Sequence, residues 1–173
     1  VRLQILPEKA LPGSPPKTIA LVRDKINLEE RAAKRSILKI GEGSRAAKIG
    51  VINVPTFYLD SAGRAKGIPN YRSTTRDVRR LVDELKAEDV AGIIIDLRGN
   101  SGGSLVEATE LTGLFIESGP VVQIKDSRGR TQINRDPNPD IAYRGPLAVL
   151  VDRRSASASE IFSGAIQDYQ RGV

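Results

Sequence analysis

Three features of this sequence predict an α/β architecture. Val90-Ala91-Gly92-Ile93-Ile94-Ile95-Asp96-Leu97 is an apolar run, as expected of a strand in the middle of a sheet covered on both faces. From Thr74 onward the patterns run helix, strand, helix, strand, loop, strand, helix, an order that implies parallel strands joined by right-handed crossovers. Two of those strands lead into helix-capping signatures, Ser104 with Glu107 and Ser157 with Glu160.

The elements follow in order. Val1 to Leu6 reads as a lone strand, and 7–16, with Pro7, Pro12, Gly13, Pro15 and Pro16, as a linker. A lone strand before a proline-rich break suggests the tail of a preceding domain, and a start at Val1-Arg2-Leu3 is what a fragment or processed chain would show. The core domain is expected over 17–173. Lys17 to Asp24 and Ser36 to Ile40 alternate apolar and polar residues as strands do, and Lys48 to Val54 is a third strand, closed by Pro55. Leu28 to Arg35, between the first two, is charge-rich and without clear pattern. Phe57 to Tyr71 carries Gly63, Gly67 and Pro69 without periodicity and reads as a loop.

Thr74 with Asp77 forms a capping box, and Val78, Leu81, Val82 and Leu85 make the apolar stripe of a helix reaching about Glu88. After the central strand, Leu105, Ala108, Leu111, Leu114 and Phe115 form a second stripe, ended by Gly119 and Pro120. Val121 to Lys125 is a strand, and Asp126 to Tyr143 a polar, proline-containing excursion. Gly145 to Asp152 is a buried strand beginning at a turn, and Ile161, Phe162, Ala165, Ile166 and Tyr169 fall at helical spacing behind it. No internal repeat is present.

Composition narrows the chemistry. With 39% hydrophobic and 28% charged residues the chain is globular, and no apolar run approaches the ~20 residues of a membrane-crossing helix. There is no Cys, which removes disulfides and thiolate metal sites, and no His, which removes Ser-His-Asp and Cys-His catalysis and most transition-metal sites. No metal or cofactor is therefore expected. The formal charge of +6 permits nucleic acid or anionic surfaces. However, Lys and Arg are scattered, dense only from Arg72 to Arg80, with four Tyr and three Phe to stack on bases, so the charge reads as a solvated surface.

Ser157 is placed where a buried strand turns into a helix. Unpaired N–H groups and the helix dipole there favour developing negative charge, which suits a nucleophile with a built-in oxyanion donor. The same residues also fit an ordinary cap, since N-cap serines are common. Asp96-Leu97-Arg98-Gly99-Asn100-Ser101-Gly102-Gly103-Ser104 is the second strand-to-helix passage. Its glycines allow left-handed backbone angles and convergent N–H groups. It can serve as an anion-binding turn or as a tight turn only, and it matches neither GxGxxG nor GxxxxGK[ST]. Two such turns can open at one carboxyl edge of a sheet. They would then bring Ser157 and the Ala158 N–H next to the N–H groups of Gly102 and Gly103, a nucleophile with a two-donor oxyanion hole. The reaction implied is acyl transfer, and without histidine the base must be a lysine or an acid.

The pair IIIDLRGNSGG and LVDRRSASASEIF, in this order and separation, resembles the C-terminal processing peptidases. VPTFYLD, STTRDVRRLVDEL and GLFIESGPVVQI extend the similarity over nearly the whole chain. The resemblance implies Ser157 as nucleophile, backbone N–H donors at Gly103 and Ala158, Gly102 shaping the loop, and a supporting role for Glu160. It implies the ββα spiral of the crotonase and Clp-protease type, with residues 1–6 as the last strand of a PDZ-like module. It further implies a periplasmic location, unfolded or C-terminally tagged protein substrates with apolar C-termini, and an adaptor protein as a further partner.

One departure bears on activity. The family's general-base lysine follows the nucleophile by roughly two dozen residues, in a Thr-Phe-Gly-Lys-Gly run, whereas this chain ends at Val173. Lys125 is the nearest lysine upstream and reads as a strand-end solvent residue. A lysine base must be neutral near pH 7, which burial brings about. The 173 residues alone are therefore expected to be inactive and the complete protein a Ser/Lys endopeptidase. Two other readings stay open. One is a non-catalytic peptide-binding module on the same fold with Ser157 as a mere cap, and the other a phosphate- or thioester-binding enzyme using the Arg98 to Gly103 turn.

Overall fold

The computed structural model describes residues 1–22, 31–43, 46–136 and 138–173. The ends of two sequence expectations, the strand from Lys17 to Asp24 and the charge-rich stretch from Leu28 to Arg35, lie partly outside the described residues.

The architecture is mixed α/β. Strand β1 (Arg2–Ile5) pairs antiparallel with β2 (Lys17–Ala20), Leu3 opposite Ile19, in a ribbon of its own. Strand β1 is therefore paired across the proline-rich connection rather than alone. The main sheet has the order β3 (Lys34–Ile40), β4 (Ala47–Asn53), β5 (Gly92–Asp96), β8 (Leu147–Leu150). The first pair is an antiparallel hairpin, and β4, β5 and β8 run parallel. Their carboxyl ends thus share one edge, as expected from the alternation of helices and strands.

Helix α1 (Ser61–Ala65) lies inside the stretch expected to be a loop. Its cap is Asp60, whose carboxylate accepts the Gly63 N–H. Five residues give too little length for a period to show in sequence. Helix α2 (Thr74–Ala87) buries Val78, Leu81, Val82 and Leu85 against the sheet, with Leu85 seated over Gly50. Its cap sits one residue earlier than expected: Ser73 Oγ accepts the Arg76 N–H. Thr74 is inside the helix, where its hydroxyl serves the Tyr58 backbone. Asp77 faces inward and accepts the Tyr58 hydroxyl at 2.6 Å. Burial, reinforced by that bond, holds the Tyr58 hydroxyl protonated well above the ordinary tyrosine range.

Helix α3 (Leu105–Gly113) starts at Ser104, whose Oγ accepts the Glu107 N–H. The carboxylate half of the expected box goes elsewhere. Glu107, fully buried, accepts the Ser73 hydroxyl at 2.8 Å, the Thr75 N–H at 2.7 Å and the Thr75 hydroxyl at 2.8 Å. It thereby caps the N-terminus of α2 from another helix. Burial pushes its carboxyl above the ordinary range, against the pull of those donors.

Between α3 and β8 the chain makes a hairpin of β6 (Gly119–Lys125) and β7 (Thr131–Asp136), a separate two-stranded sheet. Strand β7 corrects the expectation of an irregular excursion over 126–143. The turn is built by Asp126, whose carboxylate accepts the N–H groups of Arg128 and Arg130. Helix α4 (Ala158–Asp168) packs Phe162 edge-on against Phe115, ring centroids 6.0 Å apart. On the far side of β8, Val173 lies alongside, accepting the Val149 N–H and donating to the Leu147 carbonyl.

Candidate active site

Two strand-to-helix turns meet at the carboxyl edge of the parallel strands, 97–104 after β5 and 151–157 after β8. Hydrogen bonds stitch them together. The Ala156 N–H and the Ser159 hydroxyl both donate to the Asn100 carbonyl, at 3.0 and 2.9 Å. The Ser155 hydroxyl donates to the Leu97 carbonyl at 2.8 Å. From the other side, the Gly99 N–H donates to Asp152 Oδ1 at 2.9 Å. That bond and a second from the Arg154 N–H hold the Asp152 carboxyl down at about 2. Beside it, Asp96 accepts three bonds from Arg98, which keep its carboxyl below the ordinary range.

Ser157 stands at the junction of the second turn and α4. Its backbone angles, φ 54° and ψ −114°, belong to a region that L residues enter only under strain. The side chain is exposed, while Ala158 and Ser159 behind it are buried. Glu160 Oε2 accepts the Ser157 N–H at 2.6 Å, the carboxylate half of the capping box expected from sequence. It fixes the strained residue and places negative charge at the helix start, where the dipole favours it.

Gly102 lies directly against this residue. A Cβ on Gly102 would stand 2.8 Å from Ser157 Cβ and 3.1 Å from the Ala158 nitrogen, and φ is +104°. Gly103, with φ +146°, has its α-carbon pressed on the Phe57 backbone, so a Cβ would collide with the Phe57 carbonyl. The chain on either side pairs there with Phe57: the Phe57 N–H donates to the Gly102 carbonyl, and the Ser104 N–H to the Phe57 carbonyl. Thus Ser157, Ala158, Gly102, Gly103 and Glu160 lie together.

Their N–H groups differ. The Gly102 N–H donates to Asn100 Oδ1 at 2.8 Å. The N–H groups of Gly103 and Ala158 have no protein acceptor among the described residues. Of the two glycines in the turn, Gly103 therefore has the available donor. No lysine among the described residues bonds to Ser157; Lys48 and Lys86 reach the carbonyls of Glu88 and Ala142. No group of three or more acidic side chains among the described residues could hold a metal ion, and no described helix is long and apolar enough to cross a membrane.

Residues that sequence reasoning passed over are Asn100, fully buried, Thr56, whose hydroxyl donates to the Gly102 carbonyl, and the Asp152–Ser155 clasp. A signal existed for two of them. Asn and Asp side chains favour bonding the backbone two residues on, and Asn100 to Gly102 and Asp152 to Arg154 both do so.

Comparison with known proteins bears on this arrangement. The tail-specific protease of Haemophilus influenzae is 41% identical over all 173 residues, which match 22% of its length. The chloroplastic carboxyl-terminal-processing peptidase 2 of Arabidopsis thaliana is 33% identical over 162 residues, covering 93% of this chain and 29% of that protein. The chain thus spans less than a third of either relative. Among solved structures, the photosystem II D1 C-terminal processing protease superposes with a TM-score of 0.67 at 28% identity, covering 94% of this chain and 40% of that one. Residues 48–173, which contain both turns, match the model of peptidase family S41, and the chain belongs to that family.

Proposed function

We propose that the complete protein is a serine endopeptidase of the C-terminal processing type. One observation carries the reading: an exposed serine held in a strained conformation at a helix start, beside two N–H groups, of Gly103 and Ala158, that have no protein acceptor among the described residues. Such a residue matches a nucleophile that must project from a sharp turn. Ser157 Oγ would attack a peptide carbonyl while a lysine takes its proton. The oxyanion of the tetrahedral intermediate would be stabilised by the two N–H groups. Collapse returns the proton to the leaving amine and leaves an acyl-serine, which water hydrolyses with the same lysine as base. Glu160 supports the geometry through the Ser157 N–H.

The lysine this mechanism needs would stand in a run of the Gly-Lys-Gly kind after the nucleophile, and residues 1–173 without it would be inactive. The fold reading that goes with this is the ββα spiral of the crotonase and Clp-protease type. Residues 1–6 would be the last strand of a PDZ-like module, 7–16 a linker and 17–173 the peptidase core. Strand β2 of that core span pairs with β1 across the linker, in a ribbon separate from the main sheet. Substrates would be unfolded or C-terminally tagged proteins with apolar C-termini, with an adaptor as a further partner, in the periplasm. Identity to a bacterial tail-specific protease supports that substrate class.

The test is hydrolysis of an unfolded casein by the full-length protein. Ser157→Ala, and Ala at the lysine of the Gly-Lys-Gly run, should each lower kcat by at least about 10³-fold. Undiminished hydrolysis by Ser157→Ala would refute the serine mechanism. Peptide binding without Ser157-dependent turnover would instead establish a binding module.

A further inference from the structure

Two side chains with no part in the chemistry above grip the same glycine. We propose that Asn100 and Thr56 are positioning residues that hold the Gly102–Gly103 peptide so that its N–H stays presented beside Ser157. The inference rests on reading the Gly103 N–H as an oxyanion donor.

The glycine is fixed from both ends. On its nitrogen side Asn100, fully buried, engages both ends of its amide: Oδ1 accepts the Gly102 N–H at 2.8 Å and Nδ2 donates to the Val54 carbonyl at 2.7 Å. The asparagine is thereby tied to the end of the β4 segment as well as to the turn. On the carbonyl side, Gly102 accepts the Thr56 hydroxyl at 2.9 Å and the Phe57 N–H at 3.0 Å. In a trans peptide the carbonyl and the following N–H point in opposite directions. Drawing the Gly102 carbonyl toward Thr56 and Phe57 therefore sends the Gly103 N–H the other way.

A device of this kind is needed because both flanking residues are glycine. A peptide between two glycines can rotate by half a turn at little steric cost, since neither residue has a Cβ to oppose it. Such a flip would put a carbonyl oxygen where the N–H stood, replacing a donor to the oxyanion by a repelling acceptor. Asn100 also anchors the opposing turn, through its own carbonyl, to the Ala156 N–H and the Ser159 hydroxyl. One residue thus fixes the peptide and the distance between the two turns. Preorganised donors are effective because they need no rearrangement as charge develops.

The experiment uses full-length protein and unfolded casein, with kcat and KM measured separately and thermal unfolding followed in parallel. Thr56→Val keeps the shape and removes the hydroxyl; kcat should fall about 10-fold with KM within about 3-fold, because Phe57 still holds the carbonyl. Thr56→Ser should restore kcat to within about 2-fold. Asn100→Ala should lower kcat about 100-fold. Asn100→Asp, which keeps an oxygen for the Gly102 N–H, should lose less activity than Asn100→Ala although it buries a charge and is the less stable protein. Val78→Ala, a buried change in α2 at a residue belonging to neither turn, supplies the control, destabilised with kcat retained well below its melting temperature. Wild-type kcat in Thr56→Val, or no recovery in Thr56→Ser, overturns the proposal. So does a loss in the Asn100 variants that only follows melting temperature. Should the Asn100 variants fail to fold, the Thr56 pair decides. Ser157→Ala separates the levels: hydrolysis surviving it fells the serine reading and this inference together, whereas hydrolysis lost with it but kept in Thr56→Val sinks the clamp alone.

Discussion

The turns after β5 and β8 solve the same geometric problem with different residues. The first reaches positive φ at Gly99, Gly102 and Gly103, all glycine, and it contributes backbone groups to the junction. The second reaches φ 54° at Ser157, without glycine anywhere from Val151 to Glu160. Glycine makes such angles easy but offers no side chain. Where the proposed chemistry needs only N–H groups, the chain uses glycine; where it needs a projecting hydroxyl, the residue is strained and held by Glu160 and the neighbouring bonds to Asn100. A strained non-glycine residue at a junction is thus a better pointer to chemistry than a glycine-rich loop.

The contrast can be broken most severely on the glycine side. Gly103→Ala should cost about 3 kcal/mol or more, because its Cβ meets the Phe57 backbone and its φ is +146°. Gly102→Ala, clashing with Ser157 and the Ala156 carbonyl, should cost about 2 kcal/mol. Urea unfolding orders the pair, and a Gly103→Ala protein as stable as wild type would contradict the close approach to Phe57. On the serine side the sign reverses. Ser157→Gly should raise stability by about 1 kcal/mol by relieving the positive φ, while abolishing casein hydrolysis in the complete protein. A destabilised Ser157→Gly would show that the serine side chain contributes more than its backbone costs.

The smallest expected effect concerns the clasp of the Asp152 carboxylate on the Gly99 N–H, which joins the turns. The Asp152 carboxyl lies at about 2, below its unfolded value near ~3.9, so its bonds to the N–H groups of Gly99 and Arg154 add stability above pH ~4. That contribution is lost as pH falls through about 2. Asp152→Asn should accordingly melt below wild type at neutral pH, with the gap closing as the solution is acidified from pH 4 toward 2. A gap independent of pH in that window would assign the clasp to shape rather than charge.

Much of this was legible in the sequence, for identifiable reasons. Gly92 to Asp96 is apolar enough to allow only a central strand, and Ser157 with Glu160 announced its cap by residue type. The β7 strand escaped because Thr131 to Asp136 is mostly exposed and held by backbone pairing with β6, leaving no apolar alternation to read. The cap of α2 was displaced by one residue because Thr74 and Asp77 fit the local rule. Tertiary partners take both: the Tyr58 backbone binds Thr74, and the Tyr58 hydroxyl binds Asp77. Asn100 follows a local rule in its bond to the Gly102 N–H, but its bonds to the end of β4 and to the other turn have no local signature.

The cap that Glu107 lends to α2 couples the two helices in time as well as in space. The N–H at the start of α2 finds its acceptor on α3, so that turn cannot be completed before α3 docks. Opening of α3 must release it again. Amide hydrogens in the first turn of α2 should then exchange with solvent at the rate at which α3 opens, as one cooperative unit, instead of fraying at the faster rate of an ordinary helix end. The turn carrying Gly102 and Gly103 leads straight into α3, so its amides are expected to exchange with that same unit.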